Sequence, residues 1–371
     1  MATVADIITQ MAVLAPPQLA EAWDNVGLQV GDRSRPVRRI MVALDPLPEV
    51  VGEACEAQID LLITHHPLLM RPVKRVDFST ATGDIIAKCA RHQLAIFAAH
   101  TNLDSALGGL NDQFADLLDL RERRPLIAAE TPDQTKLVIF VPPEAEATVQ
   151  EALFAAGAGE IGDYRHCAFR LEGRGSFRPG DTSRPYIGKA GRTESVAEVR
   201  LETVVPRRRL NAAVAAAEKV HPYETMAWDA YPLLPAGENR GLGRVGLLPA
   251  EMTLKRLAET AKAALGAKWV RVVGDRRLRI SKVALCTGGG GSLLDAFFGS
   301  DAQAYLTGDV RYHDARSVEE AGKGLIDVGH FASERIMVSH LVSQLKARLS
   351  DCQPPVSILA ATREEEPFFQ I

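Results

Sequence analysis

Short apolar runs recur along this chain, and each ends abruptly on a polar or charged side chain. Arg39-Ile-Met-Val-Ala-Leu44 stops at Asp45-Pro46, and Asp60-Leu-Leu-Ile-Thr64 stops at His65-His66-Pro67. Leu94-Ala-Ile-Phe-Ala-Ala99 runs into His100, and Leu325-Ile-Asp-Val328 into Gly329-His330. Runs this short and this apolar read as strands buried on both faces. Helix-length stretches separate them: Pro48 to Ala57, with proline in its first turn, Thr82 to Arg91, and Asn111 to Leu118. Strands alternating with helices at this spacing predict an α/β architecture: a three-layer core with a mostly parallel sheet.

The rhythm changes in the middle. Lys136 to Val141 reads as a strand, Glu144 to Ala156 as a helix, and Tyr164 to Leu171 as a strand. A Gly/Pro/Ser-rich loop over about 173–192 follows, then a strand from Ala197 to Val205, a helix from Arg207 to Val220 and a strand from Trp228 to Leu233. The order β-α-β-β-α-β predicts an inserted ferredoxin-like α+β domain. Arg121-Glu-Arg-Arg124 and the Gly-rich stretch Gly237 to Gly246 read as its borders. The predicted organisation is residues 1–128 as the first part of the α/β domain, 129–240 as the insert and 241–371 as the second part. The last part repeats the first rhythm: helix Thr253 to Leu265, strand Arg279 to Leu285, strand Ala302 to Leu306, helix His313 to Ala321, and a long closing helix from Ala332 to Leu349.

Bulk properties exclude several classes. With 371 residues the chain has room for two or three domains, and 46% hydrophobic with 24% charged residues is ordinary globular composition. A net charge of −4 argues against a nucleic-acid protein working through a large basic surface. No apolar run approaches the roughly 20 residues that span a bilayer. The first residues show no basic, apolar leader, so a cytoplasmic location is expected. The five cysteines, at 55, 89, 167, 286 and 352, are scattered and fit free thiols in a reducing compartment.

The polar strand exits carry the chemistry. In open parallel sheets ligands bind beyond the carboxyl ends of strands. Adjacent strand residues face opposite ways, so His65 and His66 can share a site only if the strand ends there, as Pro67 indicates. His330 and Glu334 are four apart and share one face of a helix. A carboxylate has two oxygens to offer and an imidazole one free nitrogen, so Asp104 and Glu334 are natural bridges between two cations held by His65, His66 and His330. Without a thiolate, this nitrogen and oxygen set suits two divalent ions drawn from Zn, Mn, Fe, Co or Ni. His92, His166 and His340 read as surface or satisfied core residues.

Trp23-Asp-Asn-Val-Gly-Leu28, Thr64-His-His-Pro-Leu68, Ala99-His-Thr-Asn-Leu-Asp104, Leu306-Thr-Gly-Asp309 with Tyr312-His313, and Asp327-Val-Gly-His-Phe-Ala-Ser-Glu334 together resemble the GTP cyclohydrolase I type 2-like family, the Nif-three-like proteins. The likeness covers nearly the whole chain. It implies a dinuclear metal centre on His65, His66, Asp104, His330 and Glu334. It also implies a middle domain similar to the trimeric signalling and copper-tolerance modules, in which His221-Pro-Tyr-Glu-Thr225 matches a motif. A ring-like homohexamer, a trimer of dimers, is implied as well.

The expected function is a metal-dependent hydrolase acting on a nucleotide or related heterocycle. Two cations would bring a bridging water toward ionisation at neutral pH, supplying a metal-bound hydroxide. His100 or His313 is a candidate proton shuttle, because imidazoles exchange protons near neutrality. Asp309 and His313 read as substrate contacts or acid/base groups lining the cavity, or else as a capping acid and a surface imidazole. Gly288 to Gly291 reads either as a phosphate cradle at a helix start or as a tight turn with close backbone packing. Trp23-Asp24-Asn25 reads as a turn packing the first helix, Arg207 to Arg209 as a solvated helix start. His221 and Glu224 either cover the metal cavity or fix a turn. The rival function is metal storage, delivery or regulation without turnover.

Overall fold

A computed structural model describes residues 1–129, 134–233 and 240–369. The chain divides into two compact units, Met1–Ala129 with Asn239–Ile371, and Glu130–Glu238. The architecture is mixed α/β with several sheets.

The first unit holds two main sheets rather than one. In the first, Arg39–Ala43, Leu61–Thr64 and Ala95–Ala98 run parallel side by side, and Ser357–Ala360 adds parallel to Arg39–Ala43. Gly27–Val30 closes the other edge antiparallel. Burial on both faces explains the continuous apolar runs. Ile40, Val42, Leu61 and Ile63 meet the helices Val4–Leu14 and Ile336–Arg348 through Ile7, Met11, Met337 and Leu341. Met41, Ala43 and Leu62 face the other way, onto Val50, Val51 and Ala54 of Pro48–Glu56 and Ile85 and Cys89 of Ala81–His92.

The second sheet has six strands and is mixed. Arg279–Leu285, Ala304–Thr307 and Gly324–Asp327 are parallel. Arg271–Val273, Arg244–Thr253 and Arg121–Arg124 are antiparallel additions. Helix Leu254–Leu265 covers one face through Leu254, Leu257 and Ala261, which pack on Ile280, Val283 and Leu306. Arg121–Arg124 is therefore an edge strand and not a border, and its charged side chains suit an edge. The Gly-rich border expected from Gly237 lies partly outside the described residues, and Arg244 already opens a strand of this sheet.

Arg244 is fully buried, and its guanidinium donates to both carboxylate oxygens of Asp112. It also donates to the carbonyls of Gly241 at 2.7 Å, Gly243 at 2.8 Å and Ala106 at 3.0 Å. A buried cation is tolerated because its donors are met. The bond to Ala106 ties this strand to the segment that follows Asp104.

The closing helix is interrupted. His330–Glu334 forms one short helix, Arg335 breaks it, and Ile336–Arg348 continues. The apolar spacing carries across the break, so the sequence pattern does not reveal it.

The second unit is one antiparallel sheet in the order Trp228–Pro232, Gln134–Val141, Glu194–Pro206, Ala168–Phe177. Helices Glu146–Ala155 and Leu210–Val220 pack on one face through Val149, Leu153, Ala213 and Ala217. The strand expected to end at Leu171 begins later and runs to Phe177, so the expected loop starts five residues into it. Its hydrogen bonding to Glu194–Pro206 carries the glycines along.

Candidate metal centre

Three strand ends of the first unit deliver the side chains. Beyond Thr64 the His65 and His66 N–H groups turn onto Leu44 O, at 3.1 and 2.9 Å, so both imidazoles leave the ladder on the same side. Asp104 lies on the wholly buried helix Thr101–Ser105, which starts one residue after His100. His330 and Glu334 open and close their short helix, after Gly329 at φ 84°.

These residues converge. Glu334 Oε1 lies 3.6 Å from His65 Nε2, and its Oε2 lies 3.1 Å from His66 Nε2 and 3.0 Å from His330 Nε2. Asp104 Oδ1 is 3.7 Å from His65 Nε2. His65, His66 and His100 bring one ring nitrogen each within 4.8 Å of one another, and so do the ligand atoms of His66, His330 and Glu334. The two groups share His66. His100 is thus as well placed to ligate as to shuttle a proton.

Each imidazole is oriented from behind. Nδ1 of His66 bonds Asp45 Oδ1 at 2.7 Å, Nδ1 of His330 bonds Asp309 Oδ2 at 2.7 Å, and Nδ1 of His100 bonds Asp24 Oδ1 at 2.9 Å. His65 Nδ1 donates to Ala99 O at 2.9 Å. With Nδ1 engaged, Nε2 is the nitrogen left to point inward; partners of this kind fix the tautomer of metal-binding histidines. Asp24 also accepts from the Thr101 N–H at 3.0 Å. Burial works against its charge, yet His100 and Thr101 hold its carboxyl down at about 2.

The residues fit a cation. His65 is fully buried, Glu334 is 4% exposed and Asp104 9%. His65 Nε2, Asp104 Oδ1 and Glu334 Oε2 are shielded from solvent and lack a hydrogen bond of good geometry. A buried polar atom left so costs about 1–3 kcal/mol. Three such atoms meeting in one place are what a metal-binding donor set looks like. Burial disfavours charge on Glu334, but His65, His330 and His66 outweigh it and keep this carboxyl ionised far below the usual range. Asp104 goes the other way, raised chiefly by burial.

The glycine run is explained by this cluster. A Cβ on Gly288 would sit 2.0 Å from Glu334 Oε1, and φ there is 63°. Its N–H donates to Ser333 Oγ at 3.0 Å, and the Gly290 N–H to Thr307 Oγ1 at 2.9 Å. Donors spent inside the protein favour the tight turn with close backbone packing over the phosphate cradle.

Sequence reasoning missed Asp24 and Asp45, and took Trp23-Asp24-Asn25 for a packing turn. Their signal was weak: single acids far from their imidazoles in sequence. Asp309 is both an orienting acid and a wall residue of a cavity of about 580 Å³ that His66, His330, Trp269 and Arg271 also line. His313 is exposed, edge-on to Tyr312 at 5.4 Å, and takes no part in the contacts that join the cluster. His92 is exposed.

A family model described as Duf34/NIF3 (NGG1p interacting factor 3) matches residues 2–367. The chain belongs to the Duf34/NIF3 family. A Bacillus subtilis relative named GTP cyclohydrolase 1 type 2 homolog is 41% identical over 362 residues, covering 98% of this chain and 97% of its own. A Bacillus cereus crystal structure, of a protein related to NIF3, is 37% identical with a TM-score of 0.72 over 100% of this chain and 99% of that one. A Staphylococcus aureus crystal structure is 28% identical with a TM-score of 0.81, again over 100% and 99%. The Duf34/NIF3 match spans both units. Among the described residues, no helix is long and apolar enough to cross a membrane.

Proposed function

We propose that the protein is a metal-dependent hydrolase with a dinuclear centre held by His65, His66, Asp104, His330 and Glu334. The observation that carries the reading is the meeting of three buried atoms, His65 Nε2, Asp104 Oδ1 and Glu334 Oε2, none of which has a hydrogen bond of good geometry. Two groups of donors sharing His66 support a pair of ions over one. Divalent cations there would supply Lewis-acid polarisation and ease the ionisation of water.

The chain's own residues do the rest. Asp45, Asp309 and Asp24 hold their imidazoles in register. His100, beside the cluster and anchored by Asp24, is the residue of choice to move a proton; Asp309 meets the substrate at the cavity wall. Relatives are named for GTP cyclohydrolase, and a nucleotide or related heterocycle is the proposed substrate class. Arg271 and Trp269 on the wall of the neighbouring cavity suit the anionic and the planar part of such a molecule. We read residues 129–240 as a ferredoxin-like insert, which the strand order and the antiparallel pairing of its sheet support. A homohexamer is proposed from the family.

The test is to strip and reload the purified protein with Zn, Mn or Fe, count bound metal per chain, and follow GTP and simple phosphoesters by chromatography. Two ions per chain and turnover that is lost in Asp104→Asn are expected. Two ions with no turnover of any candidate at stoichiometric protein would favour storage or delivery.

A further inference from the structure

The second unit contains its own cavity, of about 300 Å³. The end of strand Ala168–Phe177, the turn after it and the segment following helix Leu210–Val220 build its walls. Three aromatic rings line it: Phe177, Tyr186 and Tyr223. Tyr223 is central. Its ring lies 6.5 Å from Phe177 and 6.1 Å from Tyr186, with planes inclined by 50° and 48°. Rings inclined by that much do not close on one another as stacked pairs.

His221 holds Tyr223 in place. Its Nδ1 accepts the Tyr223 backbone N–H at 3.1 Å, and its ring meets the phenol ring edge-on at 5.0 Å. Its Nε2 donates to Phe140 O at 3.1 Å, so both nitrogens of a neutral imidazole are used. Burial holds its pKa down.

The charges on the wall are of one sign. Glu198 and Glu224 line the cavity, and among the described residues no Lys, Arg or His does. Glu224 accepts the Arg184 backbone N–H at 2.7 Å, a neutral donor that leaves its charge uncompensated. Glu198 lies against Gly175, where a Cβ would come within 2.0 Å of Oε2; the glycine makes room for the carboxylate. The Tyr223 hydroxyl is shielded from solvent beside the Glu198 carboxylate, and burial, then that carboxylate, raise its pKa.

We propose that this cavity binds a small organic ammonium ion, held over the faces of Phe177, Tyr186 and Tyr223 and balanced by Glu198 and Glu224. Aromatic faces attract such cations, and desolvation strengthens the effect. An anion would meet two carboxylates. A neutral apolar guest would desolvate both acids and compensate neither. A bare divalent cation needs several converging oxygens, which phenyl rings do not offer. The volume sits at the small end of the range for ligand pockets. The ammonium group can belong to a free solute or to a lysine side chain of a polypeptide.

Calorimetry on the full chain tests this with three probes: choline, its neutral isostere 3,3-dimethylbutan-1-ol, and a short peptide bearing trimethyllysine. Saturable binding of choline is expected, with the isostere weaker by roughly tenfold or more. Glu198→Gln and Tyr223→Leu should each weaken choline by roughly tenfold while metal content stays at the wild-type value. Should Tyr223→Leu fail to fold, Tyr186→Leu, at a residue that is 53% exposed, replaces it. A peptide that binds well above choline assigns the site to a polypeptide, and equal affinity to a free solute. No saturable binding of either cation, an isostere as good as choline, or an unaffected Glu198→Gln overturns the proposal.

Discussion

Nδ1 of His330 bonds Asp309 Oδ2 at 2.7 Å, while Nε2 of the same ring stands 3.0 Å from Glu334 Oε2. One side of the imidazole is pinned so that the other faces the donor cluster. Asp309→Ala removes the acceptor that holds the His330 Nδ1–H. Metal affinity should fall about 10–100-fold, as is usual for loss of an orienting partner. Competition with a chelator checks this; unchanged affinity would mean that Asp309 serves the cavity wall alone.

Gly288→Ala tests whether the glycine turn exists to admit Glu334. Its Cβ would lie 2.0 Å from Oε1, and φ of 63° adds a backbone penalty of about 1–2 kcal/mol for a residue with a Cβ. Gly291→Ala is the matched control, since its Cβ would meet only Asp314 Oδ2, at 3.4 Å. The first variant should melt lower and lose metal; the second should do neither. Equal behaviour of the two would detach the turn from the site.

The parallel strands were legible because both faces of each are covered, which leaves unbroken apolar runs such as Leu61-Leu-Ile. Arg121–Arg124 was not, because a half-solvated edge strand carries charge and reads as a linker. Ser357–Ala360 hides for a similar reason: only Ile358 of it is buried. His65, His66 and Glu334 could be read from their spacing, since each lies beside another member of the cluster or one helical turn from it. Asp24 and Asp45 act on imidazoles 76 and 21 residues away, and nothing local marks them. His313 shows the converse, a histidine in the right motif that the fold leaves on the surface.

Arg244 and Asp112 are 132 residues apart and form a buried pair, with every other donor of the guanidinium that bonds going to a backbone carbonyl. Removing one partner strands a buried charge. Arg244→Met should cost about 3–5 kcal/mol, and replacing both, Arg244→Met with Asp112→Leu, should recover part of that. Urea unfolding of the metal-free protein measures both. A double variant no better than the single would show that the carbonyls of Ala106, Gly241 and Gly243, and not the ion pair, set the cost.

Protons and metal compete for the same nitrogens, and the sign of that competition follows from the geometry. In the metal-free protein burial disfavours a charged His66, but Asp45 and Glu334 override it and raise its pKa to about 10. His330 is pushed up to about 9, burial again being outweighed by Glu334 and Asp309. Both values exceed the unfolded value of about 6.5. Protonated rings therefore stabilise the metal-free fold fully below that pH, and the contribution vanishes as pH rises through 9 and 10. Glu334 acts oppositely: its contribution is present above the unfolded carboxyl value and is lost only in strong acid. The metal-free melting temperature should thus fall between pH 7 and 10, because the rings lose their protons there. Loaded protein should hold its melting temperature across that interval, since a ligated imidazole is already deprotonated. Apparent metal affinity should rise over the same range, with protons released on loading. Scanning calorimetry with and without metal at matched ionic strength checks this, and parallel curves for the two forms would put the ion somewhere other than on His66 and His330.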